Sequence, residues 1–417
     1  MGPRAIKTDQ RGFTIVELLM ATAIIMIVTG ALFGLLNPAQ GTFQAQPEAA
    51  DMQQRLRVAI DALHKDLLMA GAGTYSGAAV GMLNNFFAPV VPYRVGTQNA
   101  DPARGVFYRP DAISVMYVPT TASQCIIAET MPNSASEIKV NAQPGCPKND
   151  PLCGFNEGMR VLIFDDAGAW DTFTITAIQS AALHLQHGSD PFSKPYELGA
   201  RIAQIAMHTY WFKSDPATET FQLMHYDGYQ NDIPIVENVV GFQLEYFGEP
   251  RAPELLKPVS DPKGPWTTYG PRPPALGVDV PGDTWPAGEN CAFTIDGATG
   301  RQVSRLPALN TVPGSLMKLD PALFTDGPWC PDGGYPSRYD ADLLRIRRVR
   351  VTLRVQASEK SLRGPAGTLF ARAGTTTSGE RYLPDQEVQF DVTPRNLNLG
   401  RGQSPNQQIT QSTNSSR

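Results

Sequence analysis

From Phe13 to Leu36 the chain runs for 24 residues with Glu17 as its only ionisable side chain. About 20 apolar residues in a helix cross a hydrocarbon core roughly 30 Å thick, so this segment is predicted to be a membrane-spanning helix. Farther on, Met52, Leu56, Ala59, Ile60, Leu63, Leu67 and Ala70 recur at three-and-four spacing. Gln53, Arg57, Asp61, His64 and Lys65 fill the opposite face. That period predicts an amphipathic helix ending at Gly71. Between the two patterns, Asn37-Pro38 is expected to weaken or kink the helix, because proline removes a backbone donor and crowds the preceding turn.

The pattern then changes to short runs rich in β-branched and aromatic residues, separated by Gly, Pro, Asn and Asp. Strands are predicted at 112–118, 160–164, 172–178, 183–186, 202–212, 221–225 and 239–247, and an antiparallel sheet packed on the helix follows. From Leu343 to Val355, Val349, Val351, Leu353 and Val355 face one way and Arg348, Arg350, Thr352 and Arg354 the other. Leu344 and Ile346 are in the opposite phase, so a β-bulge or a strand start is predicted at Arg347-Arg348. A last strand is predicted at 387–392. Beyond Gly400 the chain is Gln, Ser, Asn and Thr, with little to bury, and is expected to be disordered.

One stretch breaks this alternation. Between Glu249 and Asp340 lie 16 of the 36 prolines and three of the five tryptophans (Trp266, Trp285, Trp329) with little periodicity, which marks a large insertion. The fold class predicted is therefore α+β: a long N-terminal helix, membrane-spanning in its first half and amphipathic in its second, packed on an antiparallel β-sheet domain with a large Pro-rich insertion.

Charge orients this arrangement. Arg4, Lys7 and Arg11 against Asp9 make the start basic, and the positive-inside rule keeps such a segment in the cytoplasm and sends the residues after Leu36 outward. Removing the first twelve residues takes the formal net charge from −5 to −7, which argues against general polyanion binding. The apolar run exceeds the roughly 7–15 residues of a secretory signal. Glu17 needs its own explanation, because a carboxylate in a lipid-length helix is costly and usually has a partner.

The stretch Gly12-Phe13-Thr14-Ile15-Val16-Glu17-Leu18-Leu19 resembles the processing site of type IV prepilins and pseudopilins. The resemblance implies cleavage after Gly12 by a prepilin peptidase, N-methylation of Phe13 and retention of the helix in the mature subunit. It also implies that Glu17 serves as counter-ion to the amine of a neighbouring subunit. A weaker similarity, to the PilW-like minor pilins, covers most of residues 48–247. It rests on Gln54-Arg55 to Arg57, Asp66, Ala70-Gly71, Asp111-Ala112-Ile113, Gly158-Met159-Arg160-Val161-Leu162-Ile163 and Val236-Glu237-Asn238-Val239, with Arg395-Asn396 near the end. The organisation that follows is a cytoplasmic leader (1–12), a transmembrane or filament-core helix (13–36) and an amphipathic helix (37–71). A pilin-like β domain (72–248), the Pro/Trp-rich insertion (249–342), the C-terminal strands of the β domain (343–399) and a disordered tail (400–417) complete it.

All five cysteines lie after the apolar run, where an oxidising compartment favours disulfides. Cys146 and Cys153 are close enough to close a small loop, and Cys291 with Cys330 would staple the Pro-rich segment; Cys125 is the odd one, or pairs with Cys146 or Cys153. No CxxC spacing supports zinc or thioredoxin chemistry, and no metal or cofactor is expected. His184 and His187 alternate across a strand. Asp326, Asp332, Asp340 and Asp342 lie among glycines without EF-hand spacing, so turn-forming aspartates explain them better than calcium. Arg348, Arg350 and Arg354 lack interleaved aromatics, and nucleic acid is not expected as a partner.

No nucleophile elbow, His-Glu-x-x-His or phosphate loop occurs, so no enzyme is expected. The expectation is a minor pilin of a type IV pilus, acting in initiation or at the tip. It is stored in the inner membrane with its globular part in the periplasm, then carried to the cell surface. Its expected partners are other major and minor pilins through the N-terminal helix, with a tip adhesin as a further candidate. The alternatives are a J-type pseudopilin of type II secretion, or an adhesive or DNA-binding tip module.

Overall fold

A computed structural model describes residues 12–72, 88–95, 108–119, 123–165, 170–188, 192, 194–228, 232–252, 273–279, 284–310, 315–330, 339–377 and 382–398, with 35–44 and 170 as backbone alone. The fold is α+β, an apolar N-terminal helix followed by antiparallel sheets. The chain divides into two compact units. One comprises the residues up to Gln54 with Gln356–Gln386, and the other Arg55–Val355 with the chain from Glu387 onward.

The helix α1 (Ile15–Met69) is continuous through Asn37-Pro38, where a weakening or kink was expected. A proline inside a helix removes one intrahelical hydrogen bond, and some 20 helical residues on either side carry the element across the gap. In its second half the amphipathic reading holds: Met52, Leu56, Ala59, Leu63, Leu67 and Ala70 are buried and Ile60 is half-buried, while Gln53, Arg57, Asp61, His64 and Lys65 are exposed. The helix stops where Gly71 turns left-handed (φ 70°) and passes its N–H to the carbonyl of Met116 at 2.9 Å. Only glycine takes that conformation without steric cost.

In the larger unit, β1 (Val90–Val91) and β2 (Ala112–Tyr117) begin a five-stranded sheet that the chain leaves before completing. Six strands intervene: β3 (Gln124–Ile126), β4 (Glu137–Lys139), β5 (Arg160–Phe164), β6 (Trp170–Gln179), β7 (His184–His187) and β8 (Arg201–Gln204). They pair in the order β3-β8-β5-β6-β7-β4, all antiparallel. A bridge between Ile127 and Val140, just past the ends of β3 and β4, joins the two outer strands, so the sheet closes into a small barrel. Its interior is filled by Val161, Ile163, Phe173, Ile175, Leu185 and Ile202 among others. Closure removes the open strand edges that a free sheet would expose.

The chain returns as β9 (Ala206–Asp215), which pairs with β2, then β10 (Thr220–Tyr226) and β11 (Asp232–Glu237). The predicted strand 202–212 is therefore two strands, β8 and β9, divided at Ile205 where the chain passes from barrel to sheet. The edge strand β11 was not anticipated. It contains Pro234 beside a register shift, and proline is tolerated at an edge because no outer neighbour needs its missing N–H.

β12 (Val239–Gly248) starts a four-stranded sheet. Within the Pro-rich region the described residues form β13 (Phe293–Ile295), β14 (Gln302–Ser304), β15 (Met317–Lys318), β16 (Trp329–Cys330) and β17 (Tyr339–Asp340). β13 and β14 make a hairpin, β16 and β17 a second short pair, and β15 adds to the edge of β12. β18 (Ile346–Val355) and β19 (Gln386–Val392) complete the order β15-β12-β18-β19. Opposite Phe247 and Gly248 the β18 register slips from Arg348 to Ile346, so the change of phase read in the sequence is a bulge at Arg347. There Arg347 is buried, bonds the Glu249 carboxylate at 2.7 and 3.1 Å, and caps the carbonyls of Leu344 and Ile346.

In the smaller unit the Glu48 carboxylate accepts from the backbone N–H of Ser358 at 2.5 Å and from its hydroxyl at 2.7 Å. Arg363 donates to Gln356, both buried, and Phe370 meets Tyr382 edge-on at 5.4 Å. The described residues between β18 and β19 thus form turns and one short 3-10 helix (Lys360–Leu362) between two strands that the sequence had grouped together.

Leu63 is fully buried on the helix face. Leu63→Ala is expected to destabilise the larger unit by about 2–5 kcal/mol, through lost transfer energy and the cavity left behind. Urea unfolding of the detergent-solubilised chain measures it, with exposed Asp61→Ala as the near-neutral reference.

Candidate functional site

The described residues at the predicted cleavage point, from Gly12 onward, are at the surface. Gly12 precedes the helix, and a Cβ built on it would meet nothing within 4 Å. Among the described residues nothing in the packing therefore requires glycine there. Phe13 is 90% exposed, and Ile15 to Gly34 forms a wholly unburied apolar helix of 20 residues with mean hydropathy 2.3, long and apolar enough to cross a membrane. Thr22 returns its hydroxyl to the carbonyl of Leu19 at 2.9 Å, so this polar side chain brings no unsatisfied donor into the apolar stretch.

Glu17 has a partner within its own chain. Its Oε2 accepts from the backbone N–H of Thr14 and from the Thr14 hydroxyl, both at 2.9 Å, while Thr14 Oγ1 accepts from the N–H of Glu17 at 3.2 Å. The Thr14 carbonyl takes the first intrahelical bond, from Leu18 at 3.1 Å. Thr14 is thus the N-cap and Glu17 the third helical residue of a capping box, which satisfies donors that a helix start otherwise leaves open. The sequence signal for it is Thr-x-x-Glu before an apolar run, a local pattern separate from the counter-ion role that the resemblance implies for Glu17. Among the described residues Oε1 accepts nothing, so one oxygen of the carboxylate faces outward.

The remaining residues singled out in the sequence fall elsewhere. Cys146 and Cys153 form a disulfide in a tight loop, with Cα atoms 5.6 Å apart, and Cys291 and Cys330 form a second at 5.2 Å. Cys125 is a free thiol inside the barrel; burial pushes its pKa far up, which leaves it unreactive. Arg350 is paired bidentately with Asp391 at 2.7 and 3.1 Å, and Arg348 and Arg350 both lie over the Phe247 ring. This face of β18 is engaged within the protein. His184 pairs with Glu137 outside the barrel, and His187 turns inward against Phe173 and Phe192.

Asp326, Asp340 and Asp342 do come together, while Asp332 lies outside the described residues. Asp340 accepts from the N–H groups of Gly327 at 2.7 Å and Asp342 at 2.8 Å, and Arg345 binds Asp342. These are turn contacts with a cation already in place. Burial, with the charge of Asp342, pushes Asp340 up to about 8, and burial raises Asp342 to about 6.

A second polar cluster, scattered in the sequence, forms where α1 meets the five-stranded sheet. Asp66 is buried; its Oδ2 accepts from the Tyr210 hydroxyl at 2.6 Å and lies 3.1 Å from His208 Nδ1. His208 and His225 approach each other at 2.9 Å, and the Tyr117 hydroxyl is 3.3 Å from His208 Nε2. Strand register explains the grouping. Tyr210 stands opposite His225, and His208 lies two residues before Tyr210 on the same face of β9. Burial raises the Asp66 carboxyl, but hydrogen bonds and charge from His208, Tyr210 and His225 outweigh it, and the net shift is downward. Burial lowers His225, and burial with the Asp66 charge pushes Tyr117 up to about 12, so the tyrosines remain donors. Asp66 had been noted in the sequence as one point of resemblance, but the single histidines at 208 and 225 carry no spacing that would have joined them to it.

Residues 7–33 match the family profile described as the prokaryotic N-terminal methylation motif. No curated protein matches the chain. The motif together with the apolar helix supports a type IV pilin-like or pseudopilin protein. It implies processing by a prepilin peptidase and assembly with other pilins, and it suggests a structural subunit rather than an enzyme.

The shifted carboxyl of Asp340 gives a pH test. Between its ordinary value of 3.8 and about 8 the unfolded chain has lost a proton that the folded chain keeps, so this group makes stability fall as pH rises through that window. Asp340→Asn is expected to flatten the decline of thermal midpoint between about pH 5 and pH 8. Parallel melting curves of the two proteins measure the difference in slope.

Proposed function

We propose that the chain is a minor pilin of the PilW-like kind. Residues 1–12 are removed as a leader, Phe13 is N-methylated, and the helix then serves as membrane anchor and as filament core. The globular part, beyond residue 36, lies on the outer side of the inner membrane until assembly. The observation that carries this reading is the geometry at Glu17. The carboxylate sits one helical turn from Phe13 on an unburied apolar helix, held by its own N-cap through Oε2, with no partner at Oε1 among the described residues. Cleavage after Gly12 creates a cationic amine on Phe13, and methylation keeps the charge. In an apolar filament core an incoming amine and an ordered carboxylate stabilise one axial register, because a misplaced subunit strands both charges.

The capping box separates two roles for Glu17 that a single substitution would confound. Glu17→Ala removes the counter-ion and the carboxylate half of the capping box, whereas Thr14→Ala removes the hydroxyl half and keeps the carboxylate, at about 1 kcal/mol. Glu17→Ala is therefore expected to be processed normally yet to enter filaments roughly a hundredfold less well, as befits a buried pair worth about 3 kcal/mol. Thr14→Ala should retain most incorporation. Immunoblots of sheared filaments against whole cells report it, and equal defects in the two variants would remove the counter-ion role.

Size supports a place at the tip or in initiation. A sheet domain carrying an inserted barrel and a Pro-rich insertion is hard to repeat at every step of a thin helical filament. Immunogold labelling of the chain is expected at one end of each filament, and labelling along the whole shaft would overturn the tip assignment.

A further inference from the structure

Asp66 from α1, His208 from β9 and His225 from β10 bring one carboxylate oxygen and two imidazole nitrogens within 4.8 Å of one another. Asp66 Oδ2 lies 3.1 Å from His208 Nδ1 and 4.0 Å from His225 Nε2, and the two nitrogens are 2.9 Å apart. Around one tetrahedral ion with bonds of about 2.0 Å the donor atoms stand roughly 3.3 Å apart, so each of these separations needs to change by no more than about 0.7 Å. We propose that Asp66, His208 and His225 form a binding site for a divalent transition-metal ion of the zinc kind, which ties the second half of the helix to the sheet.

Hydrogen bonding alone leaves these atoms in conflict. His208 Nδ1 has both a carboxylate oxygen and another ring nitrogen within reach, and an imidazole nitrogen carries at most one proton. With the proton present, one hydrogen is shared between two acceptors; without it, the Nδ1 lone pair faces the carboxylate. A cation resolves this, because all three atoms then act as electron-pair donors to a single centre. The ligand types agree: imidazole and carboxylate bind zinc well. Two imidazoles on one tetrahedral zinc ion place their ring centres about 5 Å apart. The rings of His208 and His225 are 5.1 Å apart, so binding needs them to turn about their own centres rather than to move.

The surroundings supply what a metal site needs beyond its ligands. Tyr210 donates to Asp66 Oδ2 at 2.6 Å, and the Tyr117 hydroxyl meets the remote nitrogen of His208 at 3.3 Å, contacts that orient first ligands and set the imidazole tautomer. Each ligand stands on a regular element rather than a loop. The histidine side chains are 20% and 18% exposed, which gives an ion a route in and leaves a fourth position for water.

The test uses the full chain in detergent, carrying no polyhistidine tag, stripped with a chelator and titrated with zinc chloride by calorimetry. One zinc ion per chain is expected, with a rise of several degrees in thermal midpoint. His208→Gln and His225→Gln should each weaken binding at least tenfold, while His184→Gln on the barrel surface should leave it unchanged. Cobalt substitution of the unaltered chain adds a readout independent of any variant: intense d–d bands of a low-symmetry, four-coordinate site are expected. No zinc uptake, equal affinity in all three variants, or the weak spectrum of aqueous cobalt would each overturn the proposal and leave the cluster as a network of shared protons.

Discussion

The constraint on which much of the larger unit depends is the burial of one carboxylate. Asp66 sits on the apolar side of α1 among Leu63, Leu67 and Ala70, where an unanswered charge would cost several kcal/mol. The five-stranded sheet supplies the answer with Tyr210, Tyr117 and His208 from two adjacent strands. Hydrophobic contact alone would let a helix slide or rotate over a sheet at modest cost. A buried charge that only one set of donors satisfies removes that freedom. Gly71 acts at the same place, ending the helix and bonding its N–H to β2.

Around that sheet the chain places its large additions where they disturb pairing least. The barrel is inserted between β2 and β9, two strands that pair with each other, so the excursion begins and ends at one corner. Because the barrel closes through Ile127 and Val140, it has no open edge to compete for partners. The Pro-rich region is handled differently. Its described residues form only short two-stranded pairs of their own, yet it contributes β15 to the edge of β12, and Arg345 reaches from the base of β18 to the carbonyls of Pro250 and Pro307. Proline carbonyls accept hydrogen bonds as well as any others, and a buried arginine with five donors can gather several of them. The Cys291–Cys330 disulfide adds a covalent tie across the same region.

At the other end of the chain, Glu17 combines two demands in one side chain. As the third helical residue of a capping box it satisfies a backbone donor at the helix start, and its second carboxylate oxygen, which among the described residues accepts nothing, can meet a further donor. Thr14 orients the carboxylate within its own chain, so less side-chain freedom would be lost in the proposed pairing with another subunit.

What could be read from the sequence was what depends on near neighbours in the chain. The apolar run, the three-and-four stripe from Leu56 to Ala70, the ending at Gly71 and the change of phase at Arg347 are local patterns, and each reappears in the structure with its burial or register. The capping box was equally local and equally legible. Tertiary structure alone decided the rest. Closure of the barrel depends on a bridge between Ile127 and Val140, and the predicted strand 202–212 divides because its two halves belong to different sheets. Asp66, His208 and His225 come within 4.8 Å of one another only through helix-on-sheet packing and strand register. Periodicity records which side of an element is buried, but not which other element lies against it, and long-range pairing of that kind leaves no spacing in the sequence to find.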